Sequence, residues 1–176
     1  MNLTRNVYCT IYYGFAQYLP DSYTPIVGKI SNAIRVFCCR HIFLYCGKNV
    51  SCINRRVFFG KGDEVEIGDY SGIGANCTLH PKVKIGKYVM MGPDVYIVGN
   101  NHITSDPNTP MFFQGKEQNR QTIIEDDCWI GARVMIMPGR KISKGSICAS
   151  GAIIAKDVEP YSIWGGNPAK LIKKRK

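Results

Sequence analysis

The strongest constraint in this sequence is a period. Ile67, Ile73, Leu79, Ile85, Met91 and Ile97 stand six residues apart, and Ile124, Ile130, Ile136, Ile142, Cys148 and Ile154 repeat that spacing. Four residues after each anchor comes a second column: Ser71, Cys77, Val83, Val89 and Val95, then Cys128, Val134, Arg140, Ser146, Ala152 and Val158. An amphipathic helix needs apolar residues at three- and four-residue steps, and a half-buried strand needs alternation; six fits neither. A short strand closed by a tight turn does fit. The anchor points inward, and the glycines that follow anchors at Gly68, Gly74, Gly86, Gly92 and Gly131 supply the turn's unusual dihedrals. One such unit buries too little surface alone, so the units must stack around a shared core.

The rhythm also marks its own limits. Phe59 and Val65 keep the phase of the second column, so the coils start near residue 50. Residues 1–48 do not repeat. Their stretch after Pro25 reads as a helix ended by Gly47, a cap for the open first coil. Coils are expected over 49–163. In 164–176, "GGNPAKLIKKRK" offers a glycine turn and then Pro168 opening a short basic helix. The step from Ile97 to Ile124 is not a whole number of hexads, so the segment 99–122 must leave the coil as an extruded loop. Asn100, Asn101, Ser105, Asp106, Pro107, Asn108, Pro110 and Gly115 suit a loop. A loop of this length in a compact domain is usually functional or disordered; Met111, Phe112 and Phe113 argue for a packed, functional one. It carries His102, one of three histidines.

Composition narrows the partners. The chain has no run of about 18 apolar residues, so no transmembrane helix is expected. The apolar "VYCTIYYGFAQYL" ends quickly at Gln17, Pro20 and Asp21 and lacks a cleavage site, so a signal peptide is not expected. The eight cysteines are scattered, none in zinc-site spacing, and read as reduced, mostly buried residues of a cytoplasmic protein. A net charge of +10 suits nucleic acid, a membrane surface or an anionic small molecule. No zinc finger, helix-turn-helix or aromatic RNA-binding signature accompanies "KLIKKRK" or Arg35, Arg40, Lys48, Arg55, Arg56 and Lys61. A polyphosphate-bearing ligand, with the remaining charges solvated, is the economical account.

The loop with His102, "WIG" at 129–131 and "GGNPAK" at 165–170 resemble the hexapeptide-repeat acetyltransferases, in particular their galactoside, maltose and capsular-polysaccharide O-acetyltransferase branch. The similarity covers residues 67–176. It implies an all-β fold, a left-handed parallel β-helix with three hexads per coil and about four to five coils, with a helical N-terminal cap. It also implies a homotrimer with active sites between subunits, acetyl-CoA as co-substrate, no metal, and a carbohydrate acceptor.

The same resemblance distributes the roles. His102 matches the loop histidine and would be the general base: a sugar hydroxyl is barely ionised near neutrality, and an imidazole of pKa about 6.5 can take its proton during attack. Asn76 would orient the acceptor hydroxyl or support the oxyanion, although a corner position favours asparagine structurally too. Met111 and Gln114 would shape the acceptor pocket. Trp129 would flank the thioester or simply fill the groove. Ala132 and Ser150 would offer backbone contacts to the pantetheine arm, and Lys156, Lys170 and Lys173 would meet the nucleotide phosphates. Some relatives carry arginine at the last two positions, so the bidentate fork is lost here. His80 and His41 read as structural. Alternatives on the same fold are an N-acetyltransferase of an amino sugar, a serine or antibiotic acetyltransferase, a non-catalytic binding solenoid and a γ-carbonic-anhydrase-like metalloenzyme. The last would need histidines close together, which this chain lacks.

Overall fold

A computed structural model describes residues 3–175. Its hexads form three parallel sheets, which are the three faces of a prism, and the architecture is a left-handed parallel β-helix. The first face holds β1 (Tyr45–Cys46), β3 (Val65–Ile67), β6 (Val83–Ile85), β9 (Thr122–Ile124) and β12 (Lys141–Ile142). The second holds β2 (Cys52–Ile53), β4 (Gly72–Ile73), β7 (Met90–Met91), β10 (Trp129–Ile130), β13 (Ile147–Cys148), β15 (Ser162–Gly166) and β16 (Ala169–Lys174). The third holds β5 (Thr78–Leu79), β8 (Tyr96–Ile97), β11 (Met135–Ile136) and β14 (Ile153–Ile154). Val65 pairs with Val83 and Trp129 with Ile147, so one coil takes three hexads.

Both columns line the interior. All twelve anchors are buried, and so is the whole second column except Arg140, which is half-buried. Its two serines are satisfied: the Ser71 hydroxyl donates to the Gly86 carbonyl at 2.6 Å and accepts the Val89 amide at 2.9 Å, and Ser146 donates to the Glu159 carbonyl at 2.6 Å.

The glycines after the anchors serve a different end from the one expected. They let successive coils approach. A Cβ on Gly74 would lie 2.2 Å from the Gly92 carbonyl oxygen, and one on Gly92 would lie 2.7 Å from the Ala132 amide. The left-handed conformation falls two residues later. Tyr70, Asn76, Lys82, Tyr88, Asp94, Asp127 and Arg133 hold φ of 58–65°, and Gly139, Gly145 and Gly151 continue the series.

The ends also depart from expectation. Winding begins at β1, before residue 49, because Gly47 is a stacking glycine: its amide donates to the Ile67 carbonyl at 2.9 Å. Besides α2 (Val27–Ile42), the cap contains α1 (Leu3–Gly14). The start of α1 meets the end of α2, since the Arg5 guanidinium donates to the Ile42 carbonyl, so the two helices run antiparallel. Tyr12 and Tyr13 donate to the carbonyls of Val57 and Gly60 and tie the cap to the first coil. Arg35 is neither solvated nor available to a ligand. It is fully buried and donates to the carbonyls of Ile53, Leu19 and Pro20 and to the Ser22 hydroxyl. Finally, residues 169–174 are a strand rather than the expected basic helix. After a turn through Gly166 and a cis Asn167–Pro168 bond, β16 pairs antiparallel with β15. An edge strand leaves amides and carbonyls unpaired, and β16 supplies their partners.

Candidate active site

The loop springs from the edge between the third and first faces, leaving after β8 and returning at β9. It is inserted without cost to the register. Gly72 pairs with Met90 and Trp129 with Ile147, each across one plain coil, while Met90 pairs with Trp129 across the coil that carries the loop. A short backbone ladder closes its root. The Ile103 amide donates to the Gly115 carbonyl at 3.1 Å and the Glu117 amide to the Asn101 carbonyl at 2.9 Å, with His102 bridged to Lys116 between them. The Asn100 side chain adds a bond to the Glu117 carbonyl at 3.1 Å. His102 is therefore fixed at its backbone, while its side chain is exposed.

Beyond the root the loop is held by its own side chains. Asp106 accepts the Asn108 amide at 2.9 Å and the Thr109 hydroxyl at 2.6 Å. The Thr109 hydroxyl bond holds its carboxyl below the usual range. The Gln114 amide is engaged within the loop: its nitrogen donates to the carbonyls of Asp106 and Thr109, and its oxygen accepts the Asp106 amide. The single turn α3 (Met111–Gln114) leaves Met111, Phe112 and Phe113 exposed.

His80, which sequence reasoning set aside, lies one coil below the root. A Cβ on Gly99 would lie 3.0 Å from the His80 Cβ, and the His80 Nε2 is 2.9 Å from the Tyr96 hydroxyl. A signal for this was present: His80 follows Leu79 as Val98 follows Ile97, one coil later. His41 stacks on Tyr8, with ring centres 4.0 Å apart, inside the cap.

The remaining candidates lie elsewhere on the prism. Asn76, Ala132 and Ser150 occupy the edge between the second and third faces. The Asn76 amide donates to Asp94 at 3.0 Å, and Asp94 is 4.0 Å from the Arg133 guanidinium. A Cβ on Gly131 would lie 2.6 Å from the Ser150 amide, and the Gly151 amide donates to the Ala132 carbonyl at 2.8 Å. Across the second face Trp129, Ile147, Ile163 and Lys173 pair in one continuous row, and Lys170 pairs with Gly165. Lys156 follows β14, on the loop's own edge.

One chain therefore presents two clusters. His102, Met111, Gln114 and Lys156 share the edge between the third and first faces. Asn76, Trp129, Ala132, Ser150, Lys170 and Lys173 belong to the second face and its edge with the third. Among the described residues no hydrogen bond joins the two clusters, and no group of three or more His, Cys, Asp or Glu could hold a metal ion.

Residues 64–99, which wind the coils just below the loop, match the model of the bacterial transferase hexapeptide, six repeats. The chain carries the bacterial transferase hexapeptide repeat. Within this hexapeptide-repeat chain, a stretch of 54 residues is 61% identical to a chloramphenicol acetyltransferase of Escherichia coli, covering 31% of this chain and 26% of that enzyme. The chain thus matches about a quarter of the length of three chloramphenicol acetyltransferases, those of Escherichia coli, Klebsiella aerogenes and Agrobacterium fabrum, and about half the length of that of Morganella morganii. It is also 40% identical over 119 residues to a probable macrolide acetyltransferase of Lysinibacillus sphaericus, covering 62% of each. Among solved structures, a hexapeptide-repeat-containing acetyltransferase of Vibrio cholerae, complexed with acetyl coenzyme A, superposes with a TM-score of 0.73 at 28% identity. That match covers 82% of this chain and 78% of the other.

Proposed function

We propose that this chain is a cytoplasmic acetyl-CoA-dependent O-acetyltransferase that acts on a hydroxyl of a sugar or polysaccharide precursor. The observation that carries the reading is His102: an exposed imidazole, held by a rigid ladder, at the root of the excursion that interrupts the coils. The acetyltransferases to which the chain is similar, one of them with acetyl coenzyme A bound, support the donor.

In this mechanism His102 accepts the proton of the acceptor hydroxyl as its oxygen attacks the thioester carbonyl. The carbon–sulfur bond then breaks and the thiolate leaves, to be protonated in turn. A thiolate leaves readily, so no covalent acyl-enzyme is required. Asn76 orients the acceptor or steadies the oxyanion, Met111 and Gln114 shape the acceptor side, and Lys156, Lys170 and Lys173 meet the phosphates of the donor. Trp129 flanks the thioester, and Ala132 and Ser150 offer backbone contacts to the pantetheine arm.

Because the two clusters lie on different edges, a complete site needs a second copy. A homotrimer, the assembly the resemblance implies, is one closed arrangement that brings the loop edge of one subunit to the second face of the next. Outward side chains agree with this. The second and third faces present Met90, Trp129, Phe58, Tyr96 and Met135, whereas the outward row of the first face is Tyr45, Glu66, Lys84, Ile123 and Lys141, a mixed and more charged surface.

A thiol-release assay with acetyl-CoA and a panel of sugar acceptors tests the reading. Loss of general-base catalysis lowers kcat by about a hundredfold or more in His102→Ala, and a fully active variant would sink the mechanism. A second reading, an antibiotic acceptor with the same chemistry, is favoured by the chloramphenicol and macrolide relatives. Including both drugs in the panel separates the two.

A further inference from the structure

The outer surface of the cap differs from that of an ordinary solvated helix pair. The positions of α1 that face away from the coils are Leu3, Thr4, Asn6, Val7, Thr10, Ile11 and Gly14; none is charged. A solvent-facing helix surface normally carries charges. Leu3 is 77% exposed, and Val7, Ile11, Phe15 and Tyr18 continue the apolar line. On α2, Val27, Ile30, Ile34 and Phe37 fall at helical spacing, three of them exposed. The two lines meet where Tyr8 packs edge-on against Phe37, with ring centres 5.7 Å apart. The result is one apolar and aromatic surface along the helix pair.

Its surroundings are cationic. Within residues 1–48 there are Arg5, Lys29, Arg35, Arg40 and Lys48 against a single acid, Asp21, which faces Arg55 at 3.8 Å. Arg5 faces Asp63 of the coils at 3.8 Å, so the cationic character rests on Lys29, Arg40 and Lys48. Arg35 is buried, but Lys29 stands exposed near the start of α2, and Arg40 and Lys48 are exposed near its end. Arg40 donates to the Lys48 carbonyl, which brings these two positions together at one end of the cap.

We infer that the cap docks on an anionic lipid surface, with α1 and α2 lying in the headgroup region and not crossing it. No described helix is long and apolar enough to cross a membrane, whereas an apolar, aromatic helix face flanked by Lys and Arg is the surface that lies in an interface. Charge selects this occupant over a second copy of the chain. Two such caps face to face would oppose the cations of one to the cations of the other, while anionic headgroups neutralise them. The inference rests on the cap alone and stands apart from the acetyl-transfer reading.

Flotation of the full chain with vesicles of equal parts phosphatidylcholine and phosphatidylglycerol tests it. Binding is expected at low salt, with loss in concentrated salt and on pure phosphatidylcholine. The double variant Val7→Gln/Ile11→Gln removes two aliphatic side chains from the interface, and its partition falls by about tenfold or more. Its thermal midpoint stays near that of the parent, because both residues are exposed. Phe15→Gln, outside the regular part of α1, provides an independent variant with the same direction of effect. Absence of flotation on the anionic vesicles overturns the inference, as does full binding by both variants. Sedimentation showing a self-association that both variants abolish, without vesicle binding by the parent, assigns the face to a second copy and overturns it too.

Discussion

A methyl group at residue 74 would sit 2.2 Å from the Gly92 carbonyl oxygen and 2.4 Å from its carbon, a backbone neighbour with no flexible end to move aside. Gly74→Ala therefore forces two coils apart. A loss of about 1–3 kcal/mol is expected, read as a lowered urea midpoint or melting temperature. These glycines were visible in the sequence, but their purpose was not. Periodicity says which positions are equivalent; it does not say which of two neighbouring positions bends the chain and which one touches the coil above. Arg35 shows the same limit from the other side. In a list of charges it resembles Arg40, and only the packing of the cap shows that its guanidinium is spent on three carbonyls and a hydroxyl.

The loop was legible as an element because the step from Ile97 to Ile124 breaks a count of six, whereas the role expected of its root histidine came from the resemblance to known acetyltransferases. The way it is held was not legible, since the ladder through Asn101, Ile103, Gly115 and Glu117 joins residues that no local pattern pairs. Excising residues 100–120 brings Ile97 and Ile124 to a single hexad apart and so restores the rhythm of the flanking anchors. The shortened chain is expected to keep the strand content and cooperative melting of the parent while losing acetyl transfer altogether. Collapse of the fold instead would show that the loop is part of the core. The last strand was misread as a helix for a plain reason. "AKLIKK" is short and suits either state, and the open edge of β15 decides between them.

Across the whole molecule, the eight cysteines are free, and Cys38, Cys39, Cys52, Cys77, Cys128 and Cys148 are buried among apolar neighbours. Burial pushes the thiols of Cys46 and Cys128 up to about 11 and those of Cys77 and Cys148 up to about 12, from an ordinary 9.0. The unfolded chain releases these protons from about pH 9 while the folded chain retains them. Stability is complete below about pH 9 and declines as pH rises toward the folded values, by up to about 1.4 kcal/mol per pH unit for each thiol. Urea midpoints measured at about pH 8 and about pH 10 check this, and a flat profile contradicts it.

The row of left-handed corners has a consequence for how such a molecule changes over time. Tyr, Asn, Lys, Asp, Arg and Gly all occupy the same corner conformation and no β-branched residue does, so the left-handed backbone disfavours branching at Cβ but leaves size, charge and polarity open. The interior columns are constrained in volume and polarity, and the corners mainly in backbone. Each edge of the prism is thus a ladder of replaceable rungs, where a lineage trades one side chain for another a coil at a time. New chemistry on an edge does not require a new core.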